Sequence, residues 1–109
     1  MTERIRRSAQ FGAFAAGTRR RRGPLTMVAA PSLEPGVPRV AYAIGRPVGP
    51  AVVRNRLRRR LRSAVHELSP QLDRDTAYLI GATKGATDLT YREIVTLVGE
   101  LAERVGAAA

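Results

Sequence analysis

Two stretches of the chain carry an apolar stripe at helical spacing. Between residues 49 and 68, Val53, Leu57, Leu61, Ala64 and Leu68 fall on one face of a helix. Gly49-Pro50 reads as its start, because proline at the first helical position gives up only an amide that has no partner there. Ser69-Pro70 reads as its stop. Further on, Ile94, Leu97, Val98, Leu101, Ala102 and Val105 form a second stripe, with Thr90 as cap and Glu93 in the capping-box position. A weaker face, Ile5, Ala9, Ala13, Phe14 and Ala16, predicts a short first helix over residues 4–16, weakened by Gly12 and ended by Gly17. Three segments read as strands: Leu25–Ala30, Arg39–Gly45 and Thr76–Ala82. In the second, Val40, Tyr42 and Ile44 alternate with Ala41 and Ala43. The third is apolar on both faces, which predicts a central place in a sheet.

The connections complete the layout. Residues 18–24 read as a basic loop, and the proline- and glycine-rich residues 31–38 as a loop joining two antiparallel strands. Arg46–Pro50 is a sharp turn, 71–75 a polar connection and 83–89 another turn. The expected order is helix, strand, strand, helix, strand, helix. That is an α+β fold, a small two-layer sandwich with helices on one sheet, in which the second strand, the 49–68 helix and the third strand form a β-α-β unit. The 109 residues suffice for one domain, 1–109, with a modest core, and residues 1–4 and 106–109 are expected to fray.

Charge changes the picture. The net charge is +10, and residues 1–62 hold 15 arginines against Glu3 and Glu34, a balance of +13. Residues 63–109 hold three arginines and Lys84 against seven acids, a balance of −3. Six arginines lie between Arg54 and Arg62, and no acid follows until Glu67. On the helix, Asn55, Arg58, Arg59 and Arg62 face away from the apolar stripe, and Arg54 and Arg60 flank it. The positive helix N-terminus at Val52–Arg54 adds to the attraction for phosphate. This clustering is the footprint of a nucleic-acid partner. Arginine outnumbers lysine 18 to one, which suits bidentate phosphate contact and also fits a GC-rich genome; the genome does not explain the clustering.

Other classes are disfavoured. Without cysteine there are no disulfides or thiolate metal sites, which fits a reducing, cytoplasmic setting. No apolar run reaches membrane-spanning length, and Phe11–Ala16 is too short for a signal peptide's apolar region. The single histidine, His66, sits beside Glu67 and reads as a structural or solvent-facing residue. Asp73 and Asp75 read as turn and strand-start residues rather than metal ligands, and Gly45-Arg-Pro-Val-Gly49 lacks the Lys-Ser/Thr of a phosphate loop. The side chains therefore point to holding a polyanion, with no catalytic residue among them. A DNA-binding module fits less well, because strands flank the basic helix. A ribosomal or other structural RNA-binding protein remains an alternative.

The run Val48-Gly-Pro-Ala-Val-Val-Arg-Asn-Arg-Leu-Arg-Arg-Arg-Leu-Arg62 resembles the signature of the bacterial ribonuclease P protein component. Gly49, Ala51, Val52, Arg54, Asn55, Arg56, Arg58 and Arg59 match it, with Arg58 in place of the usual lysine. Arg7-Ser-Ala-Gln-Phe11 resembles the family's N-terminal stretch, and the order of elements agrees over nearly the whole chain. The resemblance implies the small subunit of the ribonucleoprotein that removes the 5′ leader from precursor tRNA. The chemistry then belongs to the catalytic RNA with magnesium, and no cofactor is bound by the protein alone. It implies a left-handed β-α-β crossover, against the usual rule. It also implies RNA contacts at Arg46, Arg54, Asn55, Arg56, Arg58, Arg59 and Arg62, and a leader cleft between the first helix, the sheet and the central helix, with Phe11, Val28, Arg58 and Arg62. Two departures stand out: Gly45-Arg46-Pro47 replaces the family's Ser-Lys-Lys, and Val28 or a neighbour stands where the first strand often offers a tyrosine. The Arg19–Arg22 run is expected to compensate for the weakened leader contact.

Overall fold

The computed structural model describes residues 3–4 and 8–107. Its elements are β1 (Glu3–Arg4), α1 (Ser8–Ala13), β2 (Thr18–Arg22), β3 (Leu25–Pro31), β4 (Arg39–Ala43), α2 (Ala51–Leu68), β5 (Thr76–Ala82) and α3 (Tyr91–Ala107). The five strands form one sheet in the order β1-β4-β5-β3-β2. β5 occupies the centre, parallel to β4 and antiparallel to β3, and its Ala77, Tyr78 and Ile80 are buried. The α+β sandwich and the β4-α2-β5 unit thus match the reading of the sequence.

Four expectations need correction. Residues 18–22 form a strand, not a loop. Every residue of β2 pairs with β3, from Thr18 opposite Ala29 to Arg22 opposite Leu25. The turn between them is Gly23-Pro24, with Gly23 at φ 58, a conformation that suits glycine in a two-residue hairpin turn. Main-chain pairing does not depend on side-chain polarity, so an exposed edge strand can be all arginine. The strands on either side of the 31–38 loop are not neighbours, because β5 inserts between them. Glu3–Arg4 pair with Arg39–Val40 as a short parallel strand instead of fraying. At the other end α3 continues to Ala107, its last turn held by buried Val105; residues 1–2 and 108–109 lie outside the described residues.

The first helix is shorter than expected: α1 covers Ser8–Ala13 and a 3-10 turn covers Phe14–Ala16. Ile5 and Arg7 lie outside the described residues. Phe14 is buried, whereas Ala9 and Ala16 are exposed. A buried amide, Gln10, fixes α1 to the 31–38 loop. Its Nε2 donates to the Pro31 carbonyl at 3.1 Å and its Oε1 accepts from the Leu33 amide at 2.7 Å, so both ends are satisfied.

The sheet carries apolar residues on both faces, and this positions everything else. On one face Leu25, Met27, Val40, Tyr78 and Ile80 pack with Leu57, Leu61, Ala64, Val65 and Leu68 of α2 and with Ile94, Val98, Leu101 and Val105 of α3. On the other, Val28, Ala30 and Ala77 form a smaller cluster with Phe14. So α2 and α3 share one face, and α1 with its 3-10 turn covers part of the opposite one. The start of α3 is set by the expected capping box. The Glu93 amide donates to Thr90 Oγ1 at 3.1 Å, and the Thr90 amide donates to Glu93 Oε1 at 2.9 Å.

A candidate RNA-binding face on helix α2

α2 turns its apolar stripe inward and leaves an arginine arc outside. Leu57, Leu61, Ala64, Val65 and Leu68 are buried, while Asn55, Arg56, Arg59 and Arg62 are exposed. Arg54, Arg58 and Arg60 are half-buried at the margins. Val65 joins the stripe that the sequence suggested, and Val53 sits at its edge, half-buried.

The internal bonds of these arginines all go to neutral groups. Arg54 Nε donates to the Gly49 carbonyl at 3.0 Å and braces the turn into the helix. Arg58 Nη1 donates to Asn55 Oδ1 at 3.0 Å, one helical turn back. Arg60 Nη1 donates to the Leu89 carbonyl at 3.1 Å and ties α2 to the approach to α3. The Arg62 guanidinium carbon lies 5.9 Å from the centre of the Tyr42 ring, a cation–π contact on β4. Burial pushes the Tyr42 hydroxyl up to about 12, against the pull of the Arg62 cation, so the ring stays neutral. Among the described residues, no α2 arginine is ion-paired with a carboxylate; Arg22 pairs with Glu100, between β2 and α3. Six positive charges are thus left without a carboxylate partner among the described residues, and four of them are held in place, which is what a polyanion-binding surface needs.

Two sides of the arc differ. Arg62 leans towards β4, at Tyr42, while Arg58 bonds to Asn55 on its own helix. Arg56, Arg59 and Arg60, with Ser63 and Tyr91, line a shallow pocket of about 310 Å³ beside the start of α3. Tyr91 is oriented by its hydroxyl, which donates to Glu67 Oε2 at 3.0 Å. Arg60, Tyr42 and Tyr91 were not singled out from the sequence. Arg60 looked like a flanking residue and Tyr42 like an ordinary strand position. Arg46 is exposed in the 3-10 turn Arg46–Val48 that leads into α2.

The set of residues expected for a leader cleft is divided by the sheet. Phe11 is half-exposed, at 47 %, and meets Phe14 edge-on with ring centres 6.0 Å apart. Val28 is buried in the same cluster as Phe14, so this surface is presented by Phe11. Arg58 and Arg62 belong to α2, on the other face. Arg62 reaches β4 at Tyr42, where β1 pairs with Arg39 and Val40 and leaves Ala41–Ala43 at the margin of the sheet. Asp73 accepts from the Asp75 amide at 2.7 Å in a turn ahead of β5, and His66 is exposed near the end of α2.

A small α+β scaffold that presents a rigid arginine face is a polyanion-binding protein. The comparisons say of which kind. The profile of the Ribonuclease P family matches residues 1–106. A ribonuclease P protein component from Bartonella quintana is 37% identical over 110 residues, covering 94% of this chain and 80% of that protein. One from Symbiobacterium thermophilum is 44% identical over 68 residues, 62% of this chain and 59% of its own length. Among solved structures, the RNase P protein from Thermotoga maritima superposes with a TM-score of 0.82 at 17% identity, covering 94% of this chain and 96% of that one. A Staphylococcus aureus RNase P protein mutant gives 0.84 at 18%, covering 94% and 87%. These two show the same fold. The chain belongs to the ribonuclease P protein family, whose members are the accessory subunit of the endoribonuclease that processes tRNA 5′ ends. Among the described residues no helix is long and apolar enough to cross a membrane.

Proposed function

We propose that α2 docks the chain onto the catalytic RNA of ribonuclease P and that the Phe11 face of the sheet receives the single-stranded 5′ leader of precursor tRNA. The observation that carries the first half is the set of six α2 arginines without a carboxylate partner among the described residues, four of which, Arg54, Arg58, Arg60 and Arg62, are held by carbonyls, an amide and a ring. Arg54, Asn55, Arg56, Arg58, Arg59 and Arg62 form the dock, and Arg46 extends it at the entry turn. Asn55 accepts from Arg58 and thereby holds that guanidinium in place, which leaves its own amide nitrogen to donate to the RNA. The shallow pocket adds Arg60 to this surface.

The second half rests on Phe11, an exposed aromatic on a rigid pair. A base can stack on such a ring whatever its identity, which suits a subunit that must accept many leaders. A leader passing from that face over the margin of β4 meets Arg62 and Arg58. In this reading magnesium is held by the RNA, where it activates water and stabilises the leaving oxygen. The protein supplies affinity and position. A structural RNA-binding role without tRNA processing is the weaker reading, given the family match over nearly the full chain.

Filter binding to the reconstituted holoenzyme tests the leader assignment. Phe11→Ala should reduce the preference for leader-bearing over leaderless tRNA by roughly tenfold, the worth of one stacked base. Undiminished preference would remove Phe11 from the leader site.

A further inference from the structure

Strand β2 is built from four consecutive arginines, and the sheet register sorts them into two sets. Arg19 stands opposite Val28 and Arg21 opposite Thr26. Arg20 stands opposite Met27 and Arg22 opposite Leu25. Directly paired residues in a sheet share a face. Met27 and Leu25 belong to the core beneath α2 and α3, and Val28 belongs to the cluster with Phe14. Arg20 and Arg22 are therefore on the α3 side, where Arg22 Nε meets Glu100 Oε2 at 2.7 Å. Arg19 and Arg21 are on the Phe11 side. Both are exposed, and neither pairs with an acid among the described residues. Arg21 is steadied by its Nε, which donates to the Gly23 carbonyl at 3.2 Å.

The floor beside them is shallow. Thr26, Gly81 and Ala43 lie in register across β3, β5 and β4, in line with Arg21. A Cβ at Gly81 would come to 2.5 Å from Thr26 Oγ1, so a side chain there would force the Thr26 hydroxyl to turn away. Three strand spacings make this row about 14 Å long from β4 to β2. It runs across the face from the margin near Arg62 and Tyr42 to the arginine edge.

We propose that Arg19 and Arg21, and not Arg20 and Arg22, bind phosphates of the 5′ leader where it leaves the sheet at the β2 edge. This rests on the leader reading above and extends it by a second anchor, on the opposite edge from α2. The partner follows from the chemistry: two exposed arginines in alternating positions of one strand, a floor of small side chains beside them, an exposed aromatic on the same face of the sheet, and a polyanionic single strand to match. A folded duplex would need a wider basic surface than this edge offers.

The test uses the holoenzyme reconstituted from the full chain and the catalytic RNA, with precursor tRNA and the same tRNA lacking its leader. The variants are Arg19→Gln with Arg21→Gln, and Arg20→Gln with Arg22→Gln. Glutamine keeps much of the aliphatic stem, and melting curves check that each variant folds. The first pair should lose roughly five- to tenfold of the preference for the leader-bearing substrate, as expected for two exposed charge contacts. Its salt dependence should also flatten by about 1.4 in log–log slope, two single-strand phosphates' worth. The second pair should keep the wild-type preference. Unchanged preference in the first pair overturns the proposal, and so does an equal loss in both pairs, which would mean that bulk charge and not the face matters. If the wild-type holoenzyme shows no preference for the leader at all, the leader reading itself falls, and the proposal with it.

Discussion

Raising the salt from about 50 mM to about 200 mM at fixed magnesium should weaken binding of the chain to ribonuclease P RNA by roughly a thousandfold. Each phosphate neutralised by an arginine releases condensed counterions, and the log–log slope grows by about 0.9 per contact on a helical nucleic acid. The α2 arc and Arg46 offer about six such contacts. Were these arginines already paired with carboxylates, much of that slope would vanish, but their described partners are neutral. Arg58→Ala should lower the slope by about one. Its bond to Asn55 is on the helix surface, so the melting temperature should hardly move. Titration of the labelled chain against RNA across a salt series reads both numbers. A shallow slope, or one that Arg58→Ala leaves intact, would show that the arginine face is not the dock.

Leu61→Ala should remove about 3 kcal/mol of stability and lower the melting point by ten degrees or more for a domain of this size, roughly. Leu61 has 0% exposure and lies where α2 presses on the sheet core with Ile80, Leu101 and Val98. Truncation leaves a cavity that close-packed neighbours fill poorly. Since small domains hold only about 5–15 kcal/mol in total, much of the margin goes. Because the same helix carries the proposed dock, RNA affinity should fall with the folded fraction and recover on cooling. Leu33→Ala is the control: Leu33 is 42% exposed, and its loss should change stability by less than about 0.5 kcal/mol. Thermal melts of the three proteins decide this, and a Leu61→Ala melt close to wild type would contradict the packing described.

The elements that were legible in the sequence are those whose burial repeats along the chain. α2 and α3 announce themselves by apolar stripes, by Gly49-Pro50 and by the Thr90–Glu93 box. β5 announces itself by being apolar on both sides, and it is central. What stayed hidden depends on partners remote in sequence. β2 looked like a loop because its side chains are all polar; its strand character lies in main-chain bonds to β3. That β5 separates β3 from β4 is a choice of pairing, which no local pattern records. Gln10 is buried with no local signal for it, because the carbonyl of Pro31 and the amide of Leu33 meet both ends of its side chain. At the candidate site, the arginine face could be read from helical spacing. The contact of Arg62 with Tyr42 and the tie from Arg60 to Leu89 could not, since each joins residues 20 or more positions apart.

The most direct test of the whole account is reconstitution. The purified chain is added to ribonuclease P RNA at a magnesium concentration too low for the RNA to act alone, and 5′ cleavage of precursor tRNA is followed. Restored cleavage at the mature 5′ end, lost when Arg54, Arg56, Arg58 and Arg59 are replaced together by alanine in a chain that still folds, is the result expected. Cleavage that the chain does not restore, or that survives without those four arginines, would contradict it.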